Sequence, residues 1–311
     1  MRQYGIGYQG SKSQIAEDII NVLPAGKRLV DLFGGGFAIS HCALLSGKWD
    51  AVWYNDINPL LPKLIQDAID GKYSYERFIP EWISREDFFA RKDSDGYVKY
   101  CWSFSCNGID YLYGKDKEEF KRFCHEWVIN DQPIPGLENL RSDYPCEPKY
   151  FDKRRKELKK IADQCRIDRI RLQHLEQIER LAHLERIQRL DRRGGLTVKD
   201  QLTMTMMDYR EYEYQDGDIV YCDIPYPNCV EMSKNKNYET NFDHGAFYQW
   251  AISRQFPVYF SSYRLGSVLW EKDKYITKAG QGNGSIRREV LYCVDNDFVP
   301  PKKYTQGWLF I

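Results

Sequence analysis

Val30–Ile39 reads V-D-L-F-G-G-G-F-A-I. An apolar run, Leu29–Phe33, enters a glycine cluster and is followed by Ala38–Leu45, which reads as a helix. A strand that runs into glycines lets a ligand approach the backbone closely, with a helix N-terminus just beyond. Ala51–Tyr54 is a second short apolar run, and Asn58–Ile69 reads as another helix with Pro59 near its start. Strand, glycine turn, helix, strand is a βαβ unit, so the chain opens as an α/β protein.

Outward from that unit the alternation stops and later resumes. Residues 80–200 carry aromatics, loops, a basic run and a repetitive segment. From Thr203 the alternation returns, with strands at Ile219–Cys222, Val258–Ser261 and Val290–Val294 and a helix at Phe247–Gln255. The expected plan is one α/β domain, residues 1–80 with 200–311, interrupted by an inserted module, residues 81–199.

Composition bounds the function classes. The chain has 311 residues, 42% hydrophobic and 29% charged, as in an ordinary soluble globular protein. Its formal net charge is zero, so any nucleic-acid contact must come from local basic clustering. Nine cysteines lack a C-x-x-C pair, which points to reduced thiols rather than disulfides or zinc. The first residues, M-R-Q-Y-G-I-G-Y, lack the apolar core of a signal peptide. No apolar run approaches the roughly 20 residues that span a bilayer. Together these predict a cytoplasmic protein with no membrane and no metal.

Three further stretches carry chemistry. Val220–Pro227 reads V-Y-C-D-I-P-Y-P: a strand ends in an acid, Asp223, then a proline and an aromatic. Pro225 fixes the turn, and Tyr226 offers a flat face on which a base can stack. Asp56 lies just after the second strand in Y-N-D-I-N, where an acid can bind ribose hydroxyls. A turn acid on the surface is the plainer reading. Tyr8-Gln9-Gly10-Ser11-Lys12 precedes an apparent helix; Ser11 suits a cap, and Lys12 suits a partner carboxylate.

The insert has two unusual parts. Lys149–Lys160 is K-Y-F-D-K-R-R-K-E-L-K-K, and residues 149–193 hold 15 Lys plus Arg against 8 Asp plus Glu, a local net of +7. Such a run is either a solvated face or a phosphate contact. Leu172, Leu175, Ile178, Leu181, Leu184, Ile187 and Leu190 repeat every three residues. On an α-helix each step of three drifts about 60° backward, so no fixed stripe and no heptad results. The helix-forming composition still predicts a helix.

In order and spacing these motifs resemble the DNA adenine-N6 methyltransferases of the Dam type, the D12 class with alpha-group motif order. The family's Y-x-G-S-K is matched by Tyr8, Gly10, Ser11 and Lys12, and its D-x-F-x-G-x-G by Asp31, Phe33 and Gly35. Its N-D-x-N is matched by Asn55, Asp56 and Asn58, and its acid-aromatic pair by Asp208-Tyr209. D-I-P-Y, Asp223 to Tyr226, is close to its D-P-P-Y. Ser105–Tyr113, S-C-N-G-I-D-Y-L-Y, looks like its F-N-G-L-Y-R region; segments around Phe242, Phe260–Tyr263 and Arg288–Leu291 also look like family segments.

The resemblance implies a Rossmann-like methyltransferase fold, mostly parallel with one antiparallel strand, and an inserted, partly helical target-recognition module. It implies S-adenosylmethionine as methyl donor and double-stranded DNA as partner. Tyr8, Lys12, Asp31, Phe33, Gly35, Asp56, Asp208 and Tyr209 would bind the cofactor. Asp223, the Ile224 carbonyl, Pro225 and Tyr226 would carry catalysis on a flipped-out adenine, whose amino lone pair is delocalised into the ring and must be drawn toward tetrahedral geometry. Asn107, Lys153, Arg154, Arg155 and Lys156 would contact DNA. Two departures stand out: Phe37 replaces the second motif glycine, which should crowd the cofactor turn, and Ile224 replaces the first proline of D-P-P-Y. An RNA adenine methyltransferase and a decayed, non-catalytic nucleic-acid-binding protein remain alternatives. A cognate restriction nuclease is a partner that the sequence neither names nor excludes.

Overall fold

The computed structural model describes residues 3–164, 175–192, 198–226, 242–263, 274–280 and 286–294. Leu172 and Pro227 of the motifs above lie outside these residues. The chain divides into two compact units. One takes Met1–Tyr4, Lys12–Pro62 and Leu196–Ile311; the other takes Gly5–Ser11 and Lys63–Gly195.

The first unit is built on a seven-stranded sheet. Its strands are β1 (Arg28–Asp31), β2 (Ala51–Asn55), β3 (Leu202–Thr205), β4 (Asp218–Cys222), β5 (Val258–Tyr263), β6 (Lys274–Gly280) and β7 (Ile286–Val294). Their order is β3-β2-β1-β4-β5-β7-β6. Strands β3, β2, β1, β4 and β5 pair in parallel, and β7 runs antiparallel to both β5 and β6. This is the expected Rossmann-like sheet with one reversed strand. β1 lies between β2 and β4, so the chain reverses its direction of spread there. Ligand crevices in such sheets open at the carboxyl ends of the strands flanking that point.

Buried apolar residues cover both faces. One cluster joins Leu29, Val52 and Tyr221 to Ile19 of α1 (Ala16–Val22) and to Ile39 and Cys42 of α2 (Ala38–Ser46). The other joins Val30, Val220, Ile224, Phe260 and Tyr292. Ile224 therefore exchanges the stiffness of the family proline for a fully buried side chain. At the amino-terminal ends of β1 and β4 Arg28 donates from Nε and Nη2 to the carboxylate of Asp218, its register partner, at 2.8 and 2.7 Å. The helix expected over Phe247–Gln255 runs instead over His244–Ile252, because the Asp243 carboxylate accepts from Ala246 N and starts it earlier.

α3 (Leu60–Ile69) leads into the second unit, which contains α4 (Arg85–Arg91), α5 (Gly96–Cys101), α6 (Lys115–Asn130), α7 (Phe151–Gln164) and α8 (Glu176–Gln188). The three-residue repeat is helical as expected. Leu175, Ile178, Leu181, Leu184, Ile187 and Leu190 are all buried. The drift of a three-residue step explains how: α8 packs on α5 and on α7, so its apolar line turns around the cylinder and still meets neighbours. α9 (Val198–Gln201) returns the chain to the sheet, and α10 is His244–Ile252. No described helix is long and apolar enough to cross a membrane.

Candidate active site

The glycine turn after β1 is held from below by β2. Gly34 N donates to Asn55 O at 2.8 Å, and the Tyr54 hydroxyl donates to Gly35 O at 2.8 Å. A Cβ on Gly34 would lie 2.1 Å from the Tyr54 ring, so only glycine fits there. Asn55 is a buried junction: its Nδ2 donates to Leu32 O and Met207 O, and its Oδ1 accepts from Met207 N and Thr205 Oγ1. The ends of β1, β2 and β3 are thereby fixed around the turn.

Phe37 does not crowd that turn. It caps α2 with φ 67°, the left-handed conformation that glycine adopts freely. This costs a residue with a Cβ roughly 1–2 kcal/mol. Its ring is buried, edge-on to Tyr54 at 5.4 Å and tilted on His41 at 6.0 Å. The departure from the family glycine is a strained backbone offset by ring packing, with the side chain turned into the core.

Two acids, Asp31 and Asp56, border the turn, and a third, Asp223, acts on Asp31 through its field. Asp31 is buried; its Oδ2 accepts from Ser40 Oγ at 2.7 Å, and its Oδ1 has no hydrogen-bond partner among the described residues. Burial pushes its carboxyl up to about 7, against the Ser40 bond, and the fields of Asp223 and Asp56 add to the shift. Asp56 Oδ2 accepts from Gly35 N and its Oδ1 from Asn58 N, both at 2.8 Å. Phe33 lies beside the turn with its ring 5.3 Å from that of Tyr209. Asp208 caps its own short turn and is bound by Arg210, which holds its carboxyl below the ordinary value.

The end of β4 holds the second cluster. Asp223 Oδ1 lies 2.7 Å from Lys12 Nζ, and the ammonium sits 4.6 Å from the centre of the Tyr226 ring. The carboxylate that Lys12 meets is thus one of the protein's own. Burial works against the Lys12 charge, but Asp223, Tyr226 and Glu289 hold the ammonium protonated well above its ordinary range. Burial likewise raises the Asp223 carboxyl, while Lys12 and Ser261 limit the shift. Ser261 Oγ donates to Asp223 Oδ1 at 3.3 Å and also meets the hydroxyls of Tyr221 at 2.7 Å and Tyr226 at 3.4 Å. The Pro225 carbonyl is 2.6 Å from His244 Nε2. Ser261 and Glu289 lie in segments that look like the family's; the pairing of β5 with β4 brings Ser261 to this cluster, and Glu289 sits on β7, the strand paired with β5.

The remaining expected residues belong to the second unit. Tyr8 is half-buried against Tyr100, with 5.6 Å between rings. Asn107 closes its own turn: its Oδ1 accepts from Ile109 N and Asp110 N, and its Nδ2 donates to Asp110. Arg180 supports that loop by donating to Cys101 O and Ser103 O at 2.8 and 2.7 Å.

The basic run splits by helix face. Lys153, Lys156 and Lys160 are exposed on one side of α7. Arg154 is buried and donates to Val128 O, Trp127 O and Tyr144 O, so it caps the last turn of α6. Arg155 is buried beside Asp152 and Glu179. Both arginines are committed internally, which corrects their expected placement against phosphates. The spacing carried the signal: Arg154 falls on the apolar stripe with Phe151 and Leu158, at i, i+3 and i+7. Among the described residues no group of three or more His, Cys, Asp or Glu could hold a metal ion.

The mostly parallel sheet is consistent with the Rossmann-like fold of methyltransferases. Residues 8–122 match the model of the D12 class N6 adenine-specific DNA methyltransferase family, and that match supports site-specific adenine-N6 methylation of DNA. No curated protein matches the chain significantly.

Proposed function

We propose that the methyl donor is S-adenosylmethionine and that transfer takes place at the carboxyl ends of β1, β2 and β4. The observation that carries this is the acid set around the glycine turn, Asp31, Asp56 and Asp223, with the buried Asp31 Oδ1 lacking a partner among the described residues. A cationic ligand fits such a set, since it repays the burial of the carboxylates. When bound, S-adenosylmethionine supplies an electrophilic methyl group on a sulfonium. Asp56 would accept from ribose hydroxyls and Asp31 from the amino-acid end. Ile57 and Met206, 67% and 60% exposed just beyond the paired ends of β2 and β3, would flank the adenosine ring with Phe33.

Asp223 and the Ile224 carbonyl would accept the two hydrogens of the target amine and direct its nitrogen lone pair toward the methyl group. Flipping the base out costs a few kcal/mol. Stacking on Tyr226 returns roughly 1–3 kcal/mol of that. The amine needs no strong base, because the proton leaves readily once nitrogen is quaternary; positioning and charge complementarity supply most of the rate. In the second unit, Lys153, Lys156 and Lys160 would meet phosphates and the Asn107 loop would meet bases.

The test is expression in a methylation-deficient host followed by sequencing for N6-methyladenine, with a parallel in vitro assay using methyl-labelled S-adenosylmethionine. Methylated adenines within one recurring sequence support the proposal. Unmethylated DNA with no label transferred overturns it.

A further inference from the structure

The loop that carries Asn107 is held in a conformation that its own residues do not favour. Ser105 and Cys106 stand side by side at φ 51° and 56°, the left-handed region, and neither is a glycine. Two such residues in a row persist only where their surroundings fix them. Ser103, fully buried, is the junction that does so: its hydroxyl accepts from Gly108 N at 2.9 Å, and its carbonyl accepts from Cys106 N at 3.3 Å. Phe104 N donates to Asp110 O at 2.8 Å and closes the loop across its base. Phe104, 60% exposed, and Ser105 remain on the surface.

Arg180 reaches this junction from another element. It is 9% exposed and lies on α8, the helix of the three-residue repeat, outside the residues that match the family model. Its Nη1 donates to Ser103 O at 2.7 Å and to Cys101 O at 2.8 Å. Its Nη2 donates to Glu176 Oε2 at 2.9 Å, one turn back on the same helix, and this charge-assisted bond orients the guanidinium. Cys106 and Arg180 also meet beside Gly7: a Cβ there would lie 2.7 Å from Cys106 Sγ and 3.8 Å from Arg180 Cγ. α8 therefore braces a strained loop whose outer residues stay exposed.

Resting on the reading that the Asn107 loop meets bases, we propose that Arg180 is a positioning residue for target choice. A loop held in one conformation is already ordered when DNA arrives, and it fits only a sequence that suits that conformation. Without the guanidinium, Ser103 O loses its shorter bond, and Ser105 and Cys106 can relax to ordinary backbone. The relaxed loop has to be reordered on the right sequence and can adapt to wrong ones. The repeat helix thereby serves fidelity without touching DNA.

Arg180→Met keeps the alkyl stem and removes the donors. The assay compares kcat/KM of the full-length protein on duplexes with the methylated sequence and on duplexes with one changed base pair. A wrong base pair ordinarily costs roughly tenfold or more. In Arg180→Met that ratio should fall about fivefold or more, with the loss in KM for the target and kcat at saturating DNA within about twofold. Amide exchange at Cys106 and Gly108 should quicken about tenfold. Ile187→Ala, two turns along α8, opens a cavity in the same helix and should lower the thermal midpoint while leaving the ratio unchanged. An unchanged ratio or unchanged amide exchange in Arg180→Met, with Asn107→Ala altering the target preference, would overturn the role of Arg180 and leave that of the loop intact. An equal loss of the ratio in Ile187→Ala would reduce Arg180 to general stability and also overturn it. An unchanged target preference in Asn107→Ala, or a wild type that methylates no DNA, would overturn the reading of the loop and this role with it.

Discussion

Lys12 and Asp223 form an ion pair with 2.7 Å between Nζ and Oδ1, and 8% and 20% of their side chains are exposed. Lys12 and the turn that follows β4 are thus in direct contact. Removing either partner leaves a desolvated charge behind, which typically costs about 3–5 kcal/mol. The pair also sets the polarity of the crevice, since Lys12 neutralises one of the acids that line it.

Asp223→Asn should abolish methyl transfer while S-adenosylmethionine binding stays within a few-fold. The amide keeps the shape and one acceptor, but it loses the charge that supports the developing positive nitrogen. Calorimetry for cofactor binding and label transfer for turnover separate the two effects. Turnover within about tenfold of wild type, a barrier change of only about 1.4 kcal/mol, would remove Asp223 from the mechanism.

Asp56→Ala should weaken cofactor binding by about 1.5–3 kcal/mol, the range for hydrogen bonds to a charged group. It should also loosen the glycine turn, because Asp56 accepts from both Gly35 N and Asn58 N. Asp56→Asn retains one oxygen, enough for one of the two backbone bonds, and should recover part of the thermal stability and less of the affinity. Unchanged affinity in both variants would make Asp56 a turn residue alone.

Much of this was legible in the sequence for a local reason. A strand, its glycines and the following helix are contiguous, so V-D-L-F-G-G-G-F-A-I shows the βαβ unit directly. Asp56 and Asp223 each follow directly on a strand of that sheet, and their place needs only the alternation of elements. Glu289 was not legible as part of the site, because its position depends on β7 pairing antiparallel with β5. Phe37 misled because a motif glycine can be replaced by a residue that accepts the strained φ and buries its ring elsewhere. Arg154 misled because charge alone does not tell which helix face a residue occupies.

Asp31 should make cofactor binding proton-linked. Its carboxyl titrates near 7, above the ordinary aspartate value, because burial disfavours the charged form. The folded protein therefore holds a proton that the unfolded chain has lost, and this contribution to stability is present at low pH and declines as pH rises to about 7. A cation bound beside Asp31 reverses the shift, so binding near pH 6 should release protons. Calorimetry in buffers of different ionisation enthalpy reads that release, and Asp31→Asn should remove it and flatten the stability profile over the same window. Buffer-independent binding enthalpy in the wild type would place the cationic ligand away from Asp31.

The two faces of α7 should separate experimentally. Replacing Lys153, Lys156 and Lys160 with Ser should weaken binding to all DNA sequences alike. Each lost phosphate contact should flatten the log–log salt slope by about 0.9 on duplex DNA. The methylated sequence should stay the same, since phosphate contacts position a protein and base contacts specify. Arg154→Ser should act through stability instead: its guanidinium satisfies the carbonyls of Trp127, Val128 and Tyr144, and losing it leaves the end of α6 uncapped. A lowered thermal midpoint with an unchanged salt slope is the expected outcome for that variant. An unchanged salt slope in the triple lysine variant would make the exposed face of α7 a solvated surface. A changed target sequence in that variant would mean that these lysines read bases.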